Sequence, residues 1–248
     1  MNKHLLTTAA VLGLLPSLAI SVLGQPATKV QSTAIPRMPD GKPNLQGVWQ
    51  HPYVPDMSKD RPPDQKGAGD LPFTAAGADN FKTYDVSKFD YTGHCLPFGL
   101  MRSMNVGGYP IQFMQNESYV ALLFEQNTWF NVIYVDGRDH PKNLDPTWFG
   151  NSVGKWDGDT LVVDTIGFNG KTRLDTVGHP HSDAMHVVER FTLTDREHMA
   201  YEVTIEDPKT YTKPFKNTRT FTRMKPGEEL IEYSCEENNR DFTEGHIK

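Results

Sequence analysis

The chain has 248 residues, 37% of them hydrophobic and 10% aromatic, with 31 acidic against 25 basic side chains and a net charge of −6. That balance, with no run of Lys and Arg, excludes a sequence-independent nucleic-acid binder, which needs clustered cations against phosphate. No phosphate-cradling Gly-rich loop precedes a helix, so no nucleotide cofactor is implied.

Residues 1–24 read as a secretory signal peptide: Lys3, an apolar run from Leu5 to Leu23, then Val22-Leu23-Gly24 before Gln25. The competing reading is a membrane anchor, but Pro16 and the threonines shorten the run below the roughly 20 apolar residues that a span needs. No cysteine near the cleavage point offers a lipid anchor. The mature chain is therefore expected to be secreted or periplasmic and free of the membrane. Residues 25–43 form a polar, proline-bearing extended lead-in, and residues 44–248 a single domain, in line with the soft prior of roughly 100–200 residues per domain.

Leu45-Gln-Gly-Val-Trp49 is the first expected strand, and its Gly-x-Trp resembles the first strand of lipocalin-like barrels. Pro52 to Asp70 is a long polar loop. Thr74 is placed to cap a short helix over Ala75-Ala76-Gly77-Ala78. Gly93 to Arg102 carries too much Gly and Pro for a regular element and is expected as an ordered loop. Ile111–Gln115, Tyr119–Phe124 and Trp129–Val135 are aromatic and β-branched runs separated by polar breaks. Asp157-Gly158, between Val153–Trp156 and Thr160–Asp164, is the strongest hairpin signal, with both residues as the centre of a type I′ turn. His186–Thr194, Met199–Ile205, Lys216–Met224 and Leu230–Glu237 complete the strands. Period-2 alternation and the near absence of helical periodicity predict an all-β fold, an antiparallel barrel or sandwich of lipocalin-like kind with long ordered N-terminal loops. Cys95 and Cys235 are either one disulfide, the favoured reading in an exported chain, or two buried thiols.

Two acids share strand faces with apolar residues: Asp164 with Val162 and Ile166, and Glu189 with Val187, Phe191 and Leu193. If those faces point inward, each carboxylate needs a partner inside, either an arginine such as Arg138, Arg219 or Arg223 in a structural ion pair, or a functional group across a cavity. His181, stiffened by Pro180 and followed by Ser182 and Asp183, is the leading general acid or base, since an imidazole titrates near neutrality. His140, before Pro141, is the second. Arg138 and Arg190 are candidate clamps for an anionic group, and Tyr134 a hydrogen-bond donor. His179, His181, His186 and Glu189 lack the spacing of a recognised metal cage, so no metal is expected. No Gly-x-Ser-x-Gly elbow occurs.

Gly137-Arg-Asp-His-Pro141, Asn151-Ser-Val-Gly-Lys-Trp-Asp-Gly-Asp-Thr-Leu-Val-Val-Asp-Thr-Ile-Gly-Phe168, His179-Pro-His-Ser182 and Val187-Val-Glu-Arg-Phe191 together resemble a family of exported bacterial proteins of environmental species. The likeness spans Pro39 to Asn238. It implies export and a single domain, and it carries no catalytic assignment, because that family has no settled activity.

The sequence thus points to an exported enzyme, a lyase, isomerase or hydrolase without cofactor, that moves a proton on a small polar or aromatic substrate using His181 with Glu189 or Asp164. The competing readings are a lipocalin-like binding protein with an apolar ligand and a structural module of the cell envelope.

Overall fold

The computed structural model describes residues 34–105 and 109–237. The expected signal peptide and the first part of the lead-in lie outside them. Ten strands follow in chain order: β1 (Gly47–Gln50), β2 (Gln65–Lys66), β3 (Ile111–Gln115), β4 (Tyr119–Phe124), β5 (Phe130–Tyr134), β6 (Asn151–Asp157), β7 (Thr160–Ile166), β8 (His186–Leu193), β9 (His198–Glu206) and β10 (Phe215–Arg223). β1 and β3 to β10 join edge to edge, and β1 pairs with β10 through Trp49 and Arg223, so nine strands close into a barrel. β2 adds two residues to β10.

The expected all-β barrel is what forms, with one departure from an antiparallel design. β5 and β6 run parallel, Ile133 opposite Ser152. Parallel neighbours cannot be joined by a tight hairpin, and residues 135–150, including the Asp136–Pro141 turn, make the crossover.

The strand interiors alternate as the sequence requires. Every second residue of β8, from Val187 to Leu193, is buried, and so are Met199 to Ile205 of β9 and Phe215 to Phe221 of β10. Their rings pack in series: Phe113 on Phe191 with centroids 5.5 Å apart, Phe191 on Tyr201 at 5.1 Å, Tyr201 on Phe221 at 5.2 Å. The Gly-x-Trp of β1 has a local cause. Arg223 lies 4.1 Å over the Trp49 ring, and a Cβ on Gly47 would sit 2.3 Å from the Arg223 guanidinium, at a φ of +132° that only glycine adopts readily.

α1 (Ala75–Thr83) begins where Thr74 predicts it, the hydroxyl accepting from the Gly77 amide at 3.0 Å. α2 (Val86–Phe89) follows. The 93–102 segment is more regular than expected: after a 3-10 turn over Tyr91–His94, the six residues of α3 (Leu100–Asn105) are helical and all buried. Burial explains the discrepancy, since a helix immersed on every side shows no amphipathic period.

Two further expectations change. In the β6–β7 hairpin Asp157 pairs with Thr160, so the two central residues are Gly158 and Asp159, one position later than predicted. Only Gly158 has a positive φ, the pattern of a II′ turn. Leu230–Glu237 forms no strand; it is pinned instead by the Ile231 amide on the Glu125 carboxylate (2.9 Å) and the Cys235 amide on the Asn127 side chain (2.7 Å). Cys95 and Cys235 are bridged, with Cα atoms 5.6 Å apart.

Candidate functional site

Three rows of inward-facing side chains cross β8, β9 and β10. Glu189, Val203 and Asn217 form one, Phe191, Tyr201 and Arg219 the next, Leu193, Met199 and Phe221 the third. An acid, a phenol, an amide and a guanidinium are thereby fixed in the barrel wall between apolar neighbours. The Tyr201 hydroxyl donates to Glu189 Oε1 at 2.8 Å. Arg219 donates through Nε to Asn217 Oδ1 (2.8 Å) and through Nη1 to the Met104 carbonyl of α3 (2.7 Å), while Asn217 Nδ2 donates to the Met57 carbonyl (3.0 Å). His51, just past β1, lies against Phe221 with centroids 5.5 Å apart and holds Nδ1 3.2 Å from the Pro52 carbonyl.

Burial controls the protonation of this set. Desolvation raises the Glu189 carboxyl to about 7, only partly countered by the Tyr201 hydrogen bond and the Arg219 charge. Desolvation, and then the nearby guanidinium, drop the His51 imidazole to about 4, so it is neutral at physiological pH. Tyr201 is pushed well up by burial and by Glu189, and burial pulls Arg219 down. Among the described residues, Glu189 Oε2, Arg219 Nη2 and His51 Nε2 have no hydrogen-bond partner. Buried polar atoms are nearly always paired, so this concentration in one interior marks it out. A carboxyl titrating near 7 both takes and gives protons, an unspent guanidinium N–H stabilises negative charge, and a neutral imidazole lone pair accepts a hydrogen bond.

Of the candidate catalytic and binding residues read from the sequence, Glu189 alone is in this interior, and beside it is Arg219, which the sequence offered only as a structural ion-pair partner. Asp164 faces the opposite way: Leu161, Val163 and Thr165 are the buried residues of β7, and Val163 opposes Glu189. The inward face expected for Asp164 is therefore corrected to the outer one. There it meets His140 Nε2 at 2.9 Å and His186 Nε2 at 2.8 Å, with His140 Nδ1 2.7 Å from Asn151 Oδ1 and His186 Nδ1 3.7 Å from Glu206. Desolvation works to raise the Asp164 pKa, and the two imidazoles outweigh it, holding the carboxyl below its usual range. So His140 and Asp164 do come together, on the barrel's outside and away from Glu189.

His181 is buried, but neither acid is among its partners. Nδ1 lies 3.0 Å from the Ser182 carbonyl, to which its N–H donates a hydrogen bond, so Nε2 must accept from the Thr172 hydroxyl at 2.6 Å. Both ring nitrogens are spent, and burial depresses its pKa. The expected clamps are spent as well: Arg138 pairs with Asp136 at 2.6 Å and stacks 3.8 Å above Tyr134, and Arg190 pairs with Asp157 at 3.0 Å on the outer face.

A second buried pair lies in the β7–β8 connection. Asp175 accepts from the Met57 amide (2.9 Å), the His179 amide (3.2 Å) and His179 Nδ1 (2.6 Å), and the His179 ring stacks on Phe81 at 4.5 Å. With Asp56, whose Oδ1 is 4.0 Å from Nδ1, these form a group that could hold a cation, found among the described residues. The 2.6 Å edge is a hydrogen bond, however, and zinc with its ordinary bond lengths would need it to open to roughly 3.3 Å.

Sequence reading passed over His51, Tyr201 and Arg219 as site residues. Arg219 carried a signal, since it shares its strand parity with Phe215 and Phe221. No protein-family model, no curated protein and no solved structure matches this chain.

Proposed function

We propose that this chain is an exported acid–base enzyme, a lyase, isomerase or hydrolase, acting on a small polar or aromatic molecule held in the barrel interior. Glu189 is the proton-transfer group, Arg219 Nη2 binds the oxygen on which negative charge develops, and His51 orients the substrate through its free Nε2. The observation that carries this is a carboxyl buried in the barrel wall, poised near pH 7 and with one oxygen unspent. That perturbation is what proton transfer at neutral pH requires, and it favours turnover over simple binding. The Cys95–Cys235 bridge supports export, as such bonds persist in oxidising compartments.

The test is 1H NMR in 2H2O at pH 7 on a panel of small hydroxy-, keto- and aromatic carboxylic acids. The expected result is solvent deuterium at one carbon, or conversion of one compound, slowed on the order of 100-fold or more in Glu189→Gln. A compound bound alike by both proteins, with neither exchange nor conversion, would make the chain a binding protein.

A further inference from the structure

A second recognition site lies outside the barrel, where α1 and α2 face the segment leading into the β7–β8 connection. It is a cleft of about 700 Å3 lined by Asn80, Tyr84, Phe89, Tyr91, Lys171 and Arg173, with Ala76, Asp79 and Thr83 completing the α1 side. Arg173 is its centre. The guanidinium lies over the Tyr84 ring, 3.8 Å from the centroid, and is fixed by Nη1 donating to Asn80 Oδ1 at 2.6 Å and to the Gly178 carbonyl at 3.5 Å. Its backbone amide donates to the Tyr91 hydroxyl at 3.2 Å.

What Arg173 lacks, among the described residues, is a carboxylate. Arg102 shows what a satisfied arginine looks like here: Asp90 takes both of its terminal nitrogens at 2.9 Å. Arg173 is half-buried and bonds only neutral oxygens, and the Lys171 ammonium also has no carboxylate partner among the described residues. Asp79, the acid at the rim, pairs with neither. In a chain of net charge −6, two unneutralised cations in one cleft are a selective feature, because an unpaired, partly desolvated guanidinium gains most from an anion that it can grip with two parallel N–H bonds.

The rest of the wall sets the shape of the guest. The Tyr84 hydroxyl donates to the Phe89 carbonyl (3.1 Å) and the Tyr91 hydroxyl to the Phe98 carbonyl (2.9 Å), so both phenols have spent their protons on backbone and offer ring surface. Phe89 is 60% exposed. Cations set beside ring surface in one cleft fit a carboxylate carried on a flat apolar body. We propose that this cleft binds small aromatic carboxylates, the acid group on Arg173 and Lys171 and the ring against Tyr91 and Phe89. The assignment is independent of the chemistry proposed for Glu189.

The experiment is calorimetric and NMR titration of the full chain with benzoate, and separately with acetate and benzyl alcohol, at pH 7. Benzoate should bind saturably and at least tenfold more tightly than either fragment. Arg173→Gln should weaken benzoate at least tenfold and Lys171→Gln at least threefold. Because Arg173 also ties Asn80 to Gly178, its melting temperature is measured alongside, and Lys171→Gln, which removes no bond of the fold, decides the matter if Arg173→Gln does not fold. Acetate binding as tightly as benzoate, no saturable benzoate binding, or benzoate affinity indifferent to Lys171→Gln or to a folded Arg173→Gln would each overturn the proposal.

Discussion

Glu189→Gln offers the sharpest test of the interior site, because its effect on stability has a calculable dependence on pH. The carboxyl goes from 4.5 in the unfolded reference to about 7 in the fold. At 1.36 kcal/mol per pKa unit, ionising it inside the barrel costs about 3 kcal/mol. The sign follows from proton counting. Between pH 4.5 and 7 the unfolded chain has lost this proton and the folded one keeps it, so stability falls by about 1.4 kcal/mol per pH unit and then levels off. His51 acts oppositely. Its folded pKa of about 4 lies below the reference 6.5, so from pH 4 to 6.5 the unfolded chain holds the extra proton and stability rises at about the same rate. Across pH 4.5–6.5 the two contributions cancel, and the wild-type curve shows neither.

Single variants separate them. Relative to wild type, Glu189→Gln should gain about 3 kcal/mol between pH 4.5 and pH 7–8, which for a domain of this size is about 6–12 °C in melting temperature. His51→Gln should gain a similar amount in the opposite direction, as pH falls from 6.5 to 4. Urea denaturation at half-unit pH intervals, disulfide intact, measures both, and any pH-independent offset from the buried amide drops out of the comparison. A Glu189→Gln difference that stays flat from pH 4.5 to 8 would mean that the carboxyl is not held against its own ionisation, and the proposed proton-transfer role would go with it.

On the outer face, Asp164→Asn should cost under about 1 kcal/mol at pH 7, since the carboxylate is nearly half exposed and its pairs are screened. The depressed pKa of Asp164 means that this contribution is present above 3.8 and lost as pH falls through the lower folded value, which denaturation at pH 7 and pH 3 would reveal. Turnover should survive Asp164→Asn; its loss would move the reactive centre from Glu189 to the His140–Asp164–His186 cluster. Reduction of Cys95–Cys235, which closes a loop of 140 residues, should lower stability by at most about 5 kcal/mol on the chain-entropy account; a melting temperature unmoved by reductant would show that the bridge constrains nothing the rest of the fold does not.

The barrel was legible because alternation over eight or nine residues fixes which face is wet, as in β8 and β9. Where the reading slipped, a contact distant in sequence decided. The hairpin turn sits one residue later than Asp157-Gly158 suggests, and Asp159 at its tip is held by both terminal nitrogens of Arg37, 122 residues away. Leu230–Glu237 has a strand-like composition, but its backbone is taken by side chains remote in sequence, the Glu125 carboxylate at Ile231 and Asn127 at Cys235.

The facing of Asp164 was ambiguous for a different reason. Leu161, Val162 and Val163 are consecutive, so either parity of β7 gives Asp164 apolar neighbours, and a one-residue change of parity exchanges inside for outside. No such ambiguity affects Glu189, whose parity also holds Val187, Phe191 and Leu193 against outward His186 and Arg190. The same parity argument applied to β10 puts Arg219 inside with Phe215 and Phe221, and applied to β9 puts Tyr201 beside Val203. A charged or phenolic side chain at an inward position of a strand is costly to bury, and here three adjacent strands each carry one. His51 escapes any such rule, since it follows β1 in an irregular segment and is drawn inward by tertiary packing against Phe221. Residues that parity forces together across neighbouring strands are thus a firmer guide to this interior than histidines on proline-stiffened turns, whose nitrogens the backbone is free to claim, as Ser182 does at His181.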